Sequence, residues 1–138
     1  MMEADGPIMV VDDDEDIREI VKLSLEASGY RVTTAVDGLE AWQQLNASAL
    51  PSLILLDLMM PRMDGQEFMK ALRASPQANV PVVIMSGHSA SNQKAEDLKA
   101  NGCLTKPVEL DELLGTVRFF VLNNSLRNQQ ASVPNGDA

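Results

Sequence analysis

Four short runs in this chain, three of them wholly apolar, end abruptly in residues that can do chemistry. Val10-Val11 runs into Asp12-Asp13-Asp14, Leu53–Leu56 into Asp57, Val83–Met85 into Ser86, and Leu104-Thr105 into Lys106-Pro107. If these ends meet, the carboxylates repel one another unless a cation neutralises them. Mg²⁺ suits such a group, because it accepts a few carboxylates while keeping waters and positions for phosphate oxygens. Lys106 would offer a second positive group to a phosphoryl oxygen, and the Ser86 hydroxyl could donate to another. The set describes a phosphoryl-acceptor site with a carboxylate nucleophile, for which the aspartyl phosphate is a recognised covalent product. Asp57 by itself reads equally well as a strand-end or helix-capping acid. The residues at the other three ends favour the nucleophile.

Elements must bring these ends together. The continuous apolar run before Asp57 predicts a strand buried on both faces, as in the middle of a parallel sheet. Pro61 and Asp64-Gly65 take the chain out of it through a loop. Pro7–Val11 reads as the first strand, followed by a helix with Ile17, Ile20, Val21 and Leu25 at helical spacing and Gly29 as its stop. Tyr30–Ala35 is a second, β-branched strand, and Asp37-Gly38 turns into a helix carrying Leu39, Trp42 and Leu45. A third helix places Phe68, Met69 and Leu72 inward and ends near Ser75-Pro76. Val80–Met85 is the fourth strand, with Pro81 at its start where a missing N–H does least harm. A polar loop, Ser86-Gly87-His88-Ser89, leads to a polar helix around Gln93–Ala100 and a short fifth strand, Cys103–Thr105. Leu110, Leu113, Leu114, Val117 and Val121 mark a final amphipathic helix. This alternation predicts an α/β doubly wound fold, a five-stranded parallel sheet covered on both faces, with right-handed crossovers. Ligands in such sheets bind at the carboxyl ends of the strands, where all four groups fall.

Size and composition bound the rest. At 138 residues, 45% hydrophobic and 22% charged, the chain reads as one ordinary globular domain. Residues 1–6 are expected to be loose, 7–122 folded, and 123–138 a disordered tail or linker stub. No apolar run approaches a membrane span, the N-terminus lacks a signal-peptide pattern, and one cysteine cannot form an internal disulfide, so a reducing cytoplasm is expected. A net charge of −9 argues against a grip on nucleic acid by this chain.

The four motifs, in this order at the ends of successive βα units, resemble the receiver domain of two-component response regulators, the fold of the chemotaxis regulator. V-V-D-D-D is similar to the family's acidic pair, L-L-D-L-M-M-P-R-M-D-G to its phosphoacceptor strand and loop, I-M-S-G to its hydroxyl strand, and L-T-K-P to its lysine. The resemblance covers roughly residues 7–122 and implies the flavodoxin-like strand order 2-1-3-4-5. It implies Asp57 as phosphoacceptor, Asp13 as a direct Mg²⁺ ligand, Asp12 holding the metal mainly through water, and Met59 contributing its backbone carbonyl. Lys106 would pair with the acceptor carboxylate and then the phosphoryl group, and Ser86 would move toward that group to switch the surface. A cis Lys106–Pro107 bond is implied as well, and Asp14 takes only a capping or supporting role. The family are signalling proteins rather than enzymes. The implied partners are a histidine kinase or phosphotransfer protein and a downstream target on the face of the fourth helix, fifth strand and last helix, roughly Ala90–Leu122. Transient homodimers through the last helices would also suit the family.

One position departs. The family has Tyr or Phe three residues before its lysine, a ring that swings inward as the hydroxyl residue moves, and here that position is Cys103. Read plainly, Cys103 is a small buried hydrophobe, and the departure bears on the output step. Two alternatives follow: a docking module that works without phosphorylation, or a phosphohydrolase whose aspartyl phosphate is only an intermediate. The second would want an acid where Met59 stands. A flavin-binding relative fits less well, because the strand-end loops are acidic where a phosphate needs donors. Glu15 and Asp16 suit the helix dipole, His88 reads as a solvated loop residue, Met60 and Met63 as loop packing, and Trp42 as helix-to-sheet packing.

Overall fold

All five residues of strand β3 (Leu53–Asp57) are buried, and the molecule is built around it. The computed structural model describes residues 6–47, 50–58, 60, 62–87 and 96–132. Strands β1 (Ile8–Val11), β2 (Val32–Ala35), β4 (Val82–Ser86) and β5 (Gly102–Thr105) complete a five-stranded sheet of order β2-β1-β3-β4-β5. Every pairing is parallel. This is the predicted α/β order.

Alternation along the strands divides the core into two halves. Met9, Val11, Ile54, Leu56 and Val82 face one way and pack with Ala41 and Leu45 of α2 (Gly38–Ala47) and Phe68, Met69 and Leu72 of α3 (Gly65–Arg73). Ile8, Val10, Leu53, Leu55, Val83, Met85 and Leu104 face the other way, onto Val21 and Leu25 of α1 (Glu15–Ala27) and Leu113 and Val117 of α4 (Leu110–Ser132). Right-handed crossovers require this split. The chain moves from β1 outward to β2, then back past β1 to β3, so α1 and α2 must cover opposite faces. Burying side chains the size of those at Leu53–Leu56 contributes about 1.5–3 kcal/mol each.

Two helices that aim at the functional edge start on their own side chains. Asp14 caps α1, its carboxylate accepting from the Asp16 and Ile17 N–H groups. Asp64 and Glu67 form a reciprocal capping box on α3. Gly65 is required there, because a Cβ would lie 2.7 Å from Leu58 Cα and 2.9 Å from the Asp57 carbonyl oxygen.

The structure corrects several expectations. Ile20 is 64% exposed, because Ile17, Val21 and Leu25 make the inward stripe and Ile20 sits one step, about 100°, off it. Leu110 is exposed too, so the buried stripe of α4 begins at Leu113. That helix does not stop at Leu122, where a disordered tail was expected, but runs to Ser132. No Gly or Pro interrupts residues 123–132, and the helix ends just ahead of Pro134. The first three residues of the predicted helix around Gln93–Ala100, together with His88, lie outside the described residues; Glu96 and Asp97 are helical and residues 98–99 form a turn.

Phe68 is fully buried where α3 meets the sheet, whereas Phe119 on α4 is largely exposed. Phe68→Ala is expected to cost about 3–5 kcal/mol in urea unfolding, and Phe119→Ala within about 0.5 kcal/mol of nothing.

Candidate functional site

The β1–β3 ladder pairs Val11 with Leu56, so the next residues, Asp12 and Asp57, emerge side by side. The strand order reverses at this point, and α/β sheets open a crevice at such a switch. Asp12 is fully buried, Asp57 is 6% exposed, and Asp13 turns outward. One carboxylate oxygen from each of the three lies within 4.8 Å of the others.

Lys106 enters from the end of β5. Its ammonium donates to Asp12 Oδ2 at 2.8 Å and stands 3.6 Å from Asp57 Oδ1. The lysine therefore pairs with both acids, more tightly with Asp12 than with the acceptor named by the sequence. Burial alone would lower its pKa, but the hydrogen bond and charge of Asp12, joined by the charge of Asp57, outweigh that and raise it. It stays an ammonium at any ordinary pH. The Lys106 N–H donates to the Ser86 carbonyl at 2.8 Å, which locks the end of β5 to the end of β4. The Lys106–Pro107 bond is cis, as expected. Ser86 is buried as the last residue of β4.

Asp12 is held on several sides. Its Oδ1 accepts the Asp14 N–H at 2.9 Å, and its carbonyl accepts Arg18 Nη1 at 2.9 Å. Sequence reasoning missed Arg18, which lies six residues on and matches no motif. It also missed the partner of Asp37. That buried acid takes Arg62 Nε on Oδ2 at 2.6 Å and the Glu40 N–H on Oδ1 at 2.9 Å. Burial would raise the Asp37 pKa, but the hydrogen bond from Glu40 and the bond and charge of Arg62 lower it.

Asp12, Asp13, Asp57 and Lys106 thus converge, with Ser86 on the neighbouring strand end. Met59 lies outside the described residues. Cys103 is set back from the carboxylates. It is half-buried rather than buried, and packs against Leu58 and Ile84. Desolvation and the nearby charge of Glu112 raise its thiol pKa, the opposite of what a reactive cysteine needs.

The donor set is all oxygen, hard and clustered. Three formal carboxylate charges against one ammonium leave two negative charges, and one divalent cation cancels them. The residues fit Mg²⁺.

A parallel sheet of order 2-1-3-4-5 is the flavodoxin-like class of doubly wound folds. Within that class the chain belongs to the response regulator receiver domain family, whose model it matches over residues 8–118. It is 35% identical over 127 residues to the response regulator MprA of Mycobacterium ulcerans, covering 91% of this chain and 54% of the relative. It is 38% identical over 117 residues to the DNA-binding dual master transcriptional regulator RpaA of Synechocystis, covering 83% of this chain and 48% of the relative. The chain therefore spans about half the length of the curated relatives it matches. Among solved structures, a putative response regulator from Chloroflexus aurantiacus superposes with a TM-score of 0.79 at 30% identity, covering 86% of this chain and 98% of that one. This chain is a receiver domain of a two-component response regulator, a signalling module.

The raised thiol pKa is directly measurable, since Cys103 is the only cysteine. Its alkylation by iodoacetamide is expected to be slower than that of a free cysteine at pH 8, with the inflection of the pH–rate curve above the ordinary thiol value. Rapid alkylation at neutral pH would contradict this environment.

Proposed function

We propose that this domain is a phosphorylation switch that accepts a phosphoryl group on Asp57 from a phosphohistidine partner, a histidine kinase or phosphotransfer protein. The observation that carries this reading is the convergence of Asp12, Asp13 and Asp57 with Lys106 between two of them. A carboxylate oxygen of Asp57 attacks phosphorus in line as the bond from phosphorus to the histidine nitrogen breaks, and the electron pair stays with the imidazole. Mg²⁺ held by Asp12, Asp13 and Asp57, with the Met59 backbone carbonyl, would balance the charge on the transferring group. Lys106 stands 3.6 Å from Asp57, close enough to follow the phosphoryl oxygens while Asp12 retains it as counter-ion. Ser86, ending the neighbouring strand, supplies a hydroxyl that can turn to the new phosphate.

The switch then alters a surface that binds a downstream protein, on the side of the fold contributed by β5 and α4. Cys103 packs against the small cluster of Leu58, the residue after the acceptor, and Ile84, and this cluster supports a route from Asp57 to β5. Transient pairing of two copies through the last helix fits the exposed Phe119 and Leu122. The site is acidic, so nucleic acid is not a partner of this domain itself. Among the described residues no helix is long and apolar enough to cross a membrane, and the setting we assign is the cytoplasm. The domain assists its own phosphorylation and its loss, but its product is a signal.

Acetyl phosphate with Mg²⁺ is expected to add one phosphoryl group to the protein by mass spectrometry, and Asp57→Asn to abolish it. Labelling that survives in that variant would remove Asp57 from the acceptor role; no labelling of the parent would favour a docking module. Mg²⁺ should also raise the thermal midpoint reversibly, EDTA restoring it, with about 2.7 kcal/mol of stabilisation when the ion is at a hundred times its Kd.

A further inference from the structure

The loop that leaves Asp57 is tied down at two places. At its base the Gly65 N–H donates to the Leu58 carbonyl at 3.2 Å. At its far corner Arg62 and Met63 both have positive φ, 36° and 22°, a conformation that costs side-chain-bearing residues energy and persists only when neighbours enforce it. The neighbours are at the start of α2. The Gly38 N–H donates to the Met63 carbonyl at 3.0 Å, and Arg62 Nε reaches the buried Asp37 carboxylate at 2.6 Å. Gly38 admits no side chain, because a Cβ would strike the Met63 carbonyl oxygen. A turn between β2 and α2, remote in sequence from the acceptor, is thus fitted against the acceptor loop.

We propose that Asp37 and Arg62 are positioning residues for the acceptor site: their ion pair fixes the loop between Asp57 and Asp64 and so sets the geometry in which the site takes its cation. This rests on the cation site proposed above. Neither residue belongs to the Asp12, Asp13 and Asp57 cluster. Their role is to hold backbone. Arg62 is the loop's side-chain anchor, its own side chain 60% exposed while the Asp37 side chain is 3% exposed. The anchor therefore lies on the loop side, and the socket belongs to the fixed scaffold of α2. Asp37 has a second partner in the Glu40 N–H, so it continues to start α2 when the arginine is gone. Removing Arg62 therefore takes away the side-chain tie and leaves the loop only its backbone bonds to Gly38 and Gly65, while the helix stays capped. The site would then have to order the loop each time it binds the ion, and affinity falls by the cost of that ordering.

The test compares the parent with Arg62→Ala, Arg62→Lys and Asp37→Asn, using Mg²⁺ alone as ligand in calorimetric titration. Amide hydrogen exchange at Gly38 and thermal melting without Mg²⁺ are measured alongside. Asp37→Asn keeps an oxygen for the Glu40 N–H while dropping the charge, so it separates the ion pair from the cap. We expect Arg62→Ala to weaken Mg²⁺ binding by about tenfold, to speed exchange at Gly38, and to melt within a few degrees of the parent. Asp37→Asn should weaken binding in the same direction, and Arg62→Lys should recover part of the loss. Unchanged Mg²⁺ affinity in Arg62→Ala, with exchange at Gly38 accelerated, would overturn the positioning role while leaving the cation site standing. A parent that binds no Mg²⁺ would overturn the cation site and this role together.

Discussion

Two acids set side by side by a hydrogen-bonded ladder are the constraint on which this structure turns. The β1–β3 register leaves Asp12 and Asp57 no freedom to separate, because Val11 and Leu56, one residue earlier, are already paired in the sheet. Two like charges about 4 Å apart repel by roughly 4 kcal/mol at an effective dielectric of 20. The apolar side chains behind them offset this comfortably, since each buried one contributes about 1.5–3 kcal/mol and Leu53–Leu56 and Ile8–Val11 are all buried. The strands win, and the repulsion stays at the edge of the sheet. Lys106 relieves part of it by sitting between the two carboxylates. What remains is an edge with two uncompensated negative charges, which one divalent cation would cancel.

Acids crowd this edge, yet they do different things, and the difference lies in where each carboxylate finds its hydrogen bonds. Asp14 and Asp64 spend theirs on helix N–H groups. Asp37 divides its two oxygens between a helix N–H and Arg62. Asp12, Asp13 and Asp57 instead bring oxygens together over a common space. Composition cannot separate these classes, because the same residue type in the same short segment, Asp12 and Asp14, serves both. Position relative to the strand end separates them. Asp12 is the first residue past β1 and Asp57 the last of β3, while each capping Asp precedes a helix.

That rule explains why the strands and the convergence of the acids were legible in the sequence. Apolar runs of four or five residues have one stable home in an α/β chain, and whatever follows them lands at the same edge. The strand order was legible only through the resemblance to the receiver family; with that order, Asp12, Asp57 and Lys106 converge at one edge. What was not legible depended on contacts between segments. The motif around Asp57 contains Arg62 but gives it no role, because its partner lies 25 residues away on another element. Arg18 matched no pattern. The continuation of α4 to Ser132 was missed for a different reason: Asn, Gln and Ser make the segment look solvated, but none of them breaks a helix as Gly or Pro does. Helical spacing groups Ile20 with Ile17, Val21 and Leu25, yet it lies one helical step off the inward stripe, which is enough to move a side chain from core to solvent.

Cys103 shows how far local geometry constrains the output. An aromatic ring on β5 could exchange a buried position for an exposed one and carry a change of volume with it; a thiol has too little volume for that. Its half-buried place against Leu58 and Ile84 still connects it to the segment leaving Asp57 and to β4. The backbone makes a firmer connection. Ser86 and Thr105 are paired in the ladder, and the Lys106 N–H bonds the Ser86 carbonyl, so the ends of β4 and β5 are joined through the main chain. A backbone displacement of Ser86 would either carry Lys106 with it or break that bond. With a thiol rather than a ring at position 103, the link between the end of β4 and the end of β5 that the structure shows most directly is main chain.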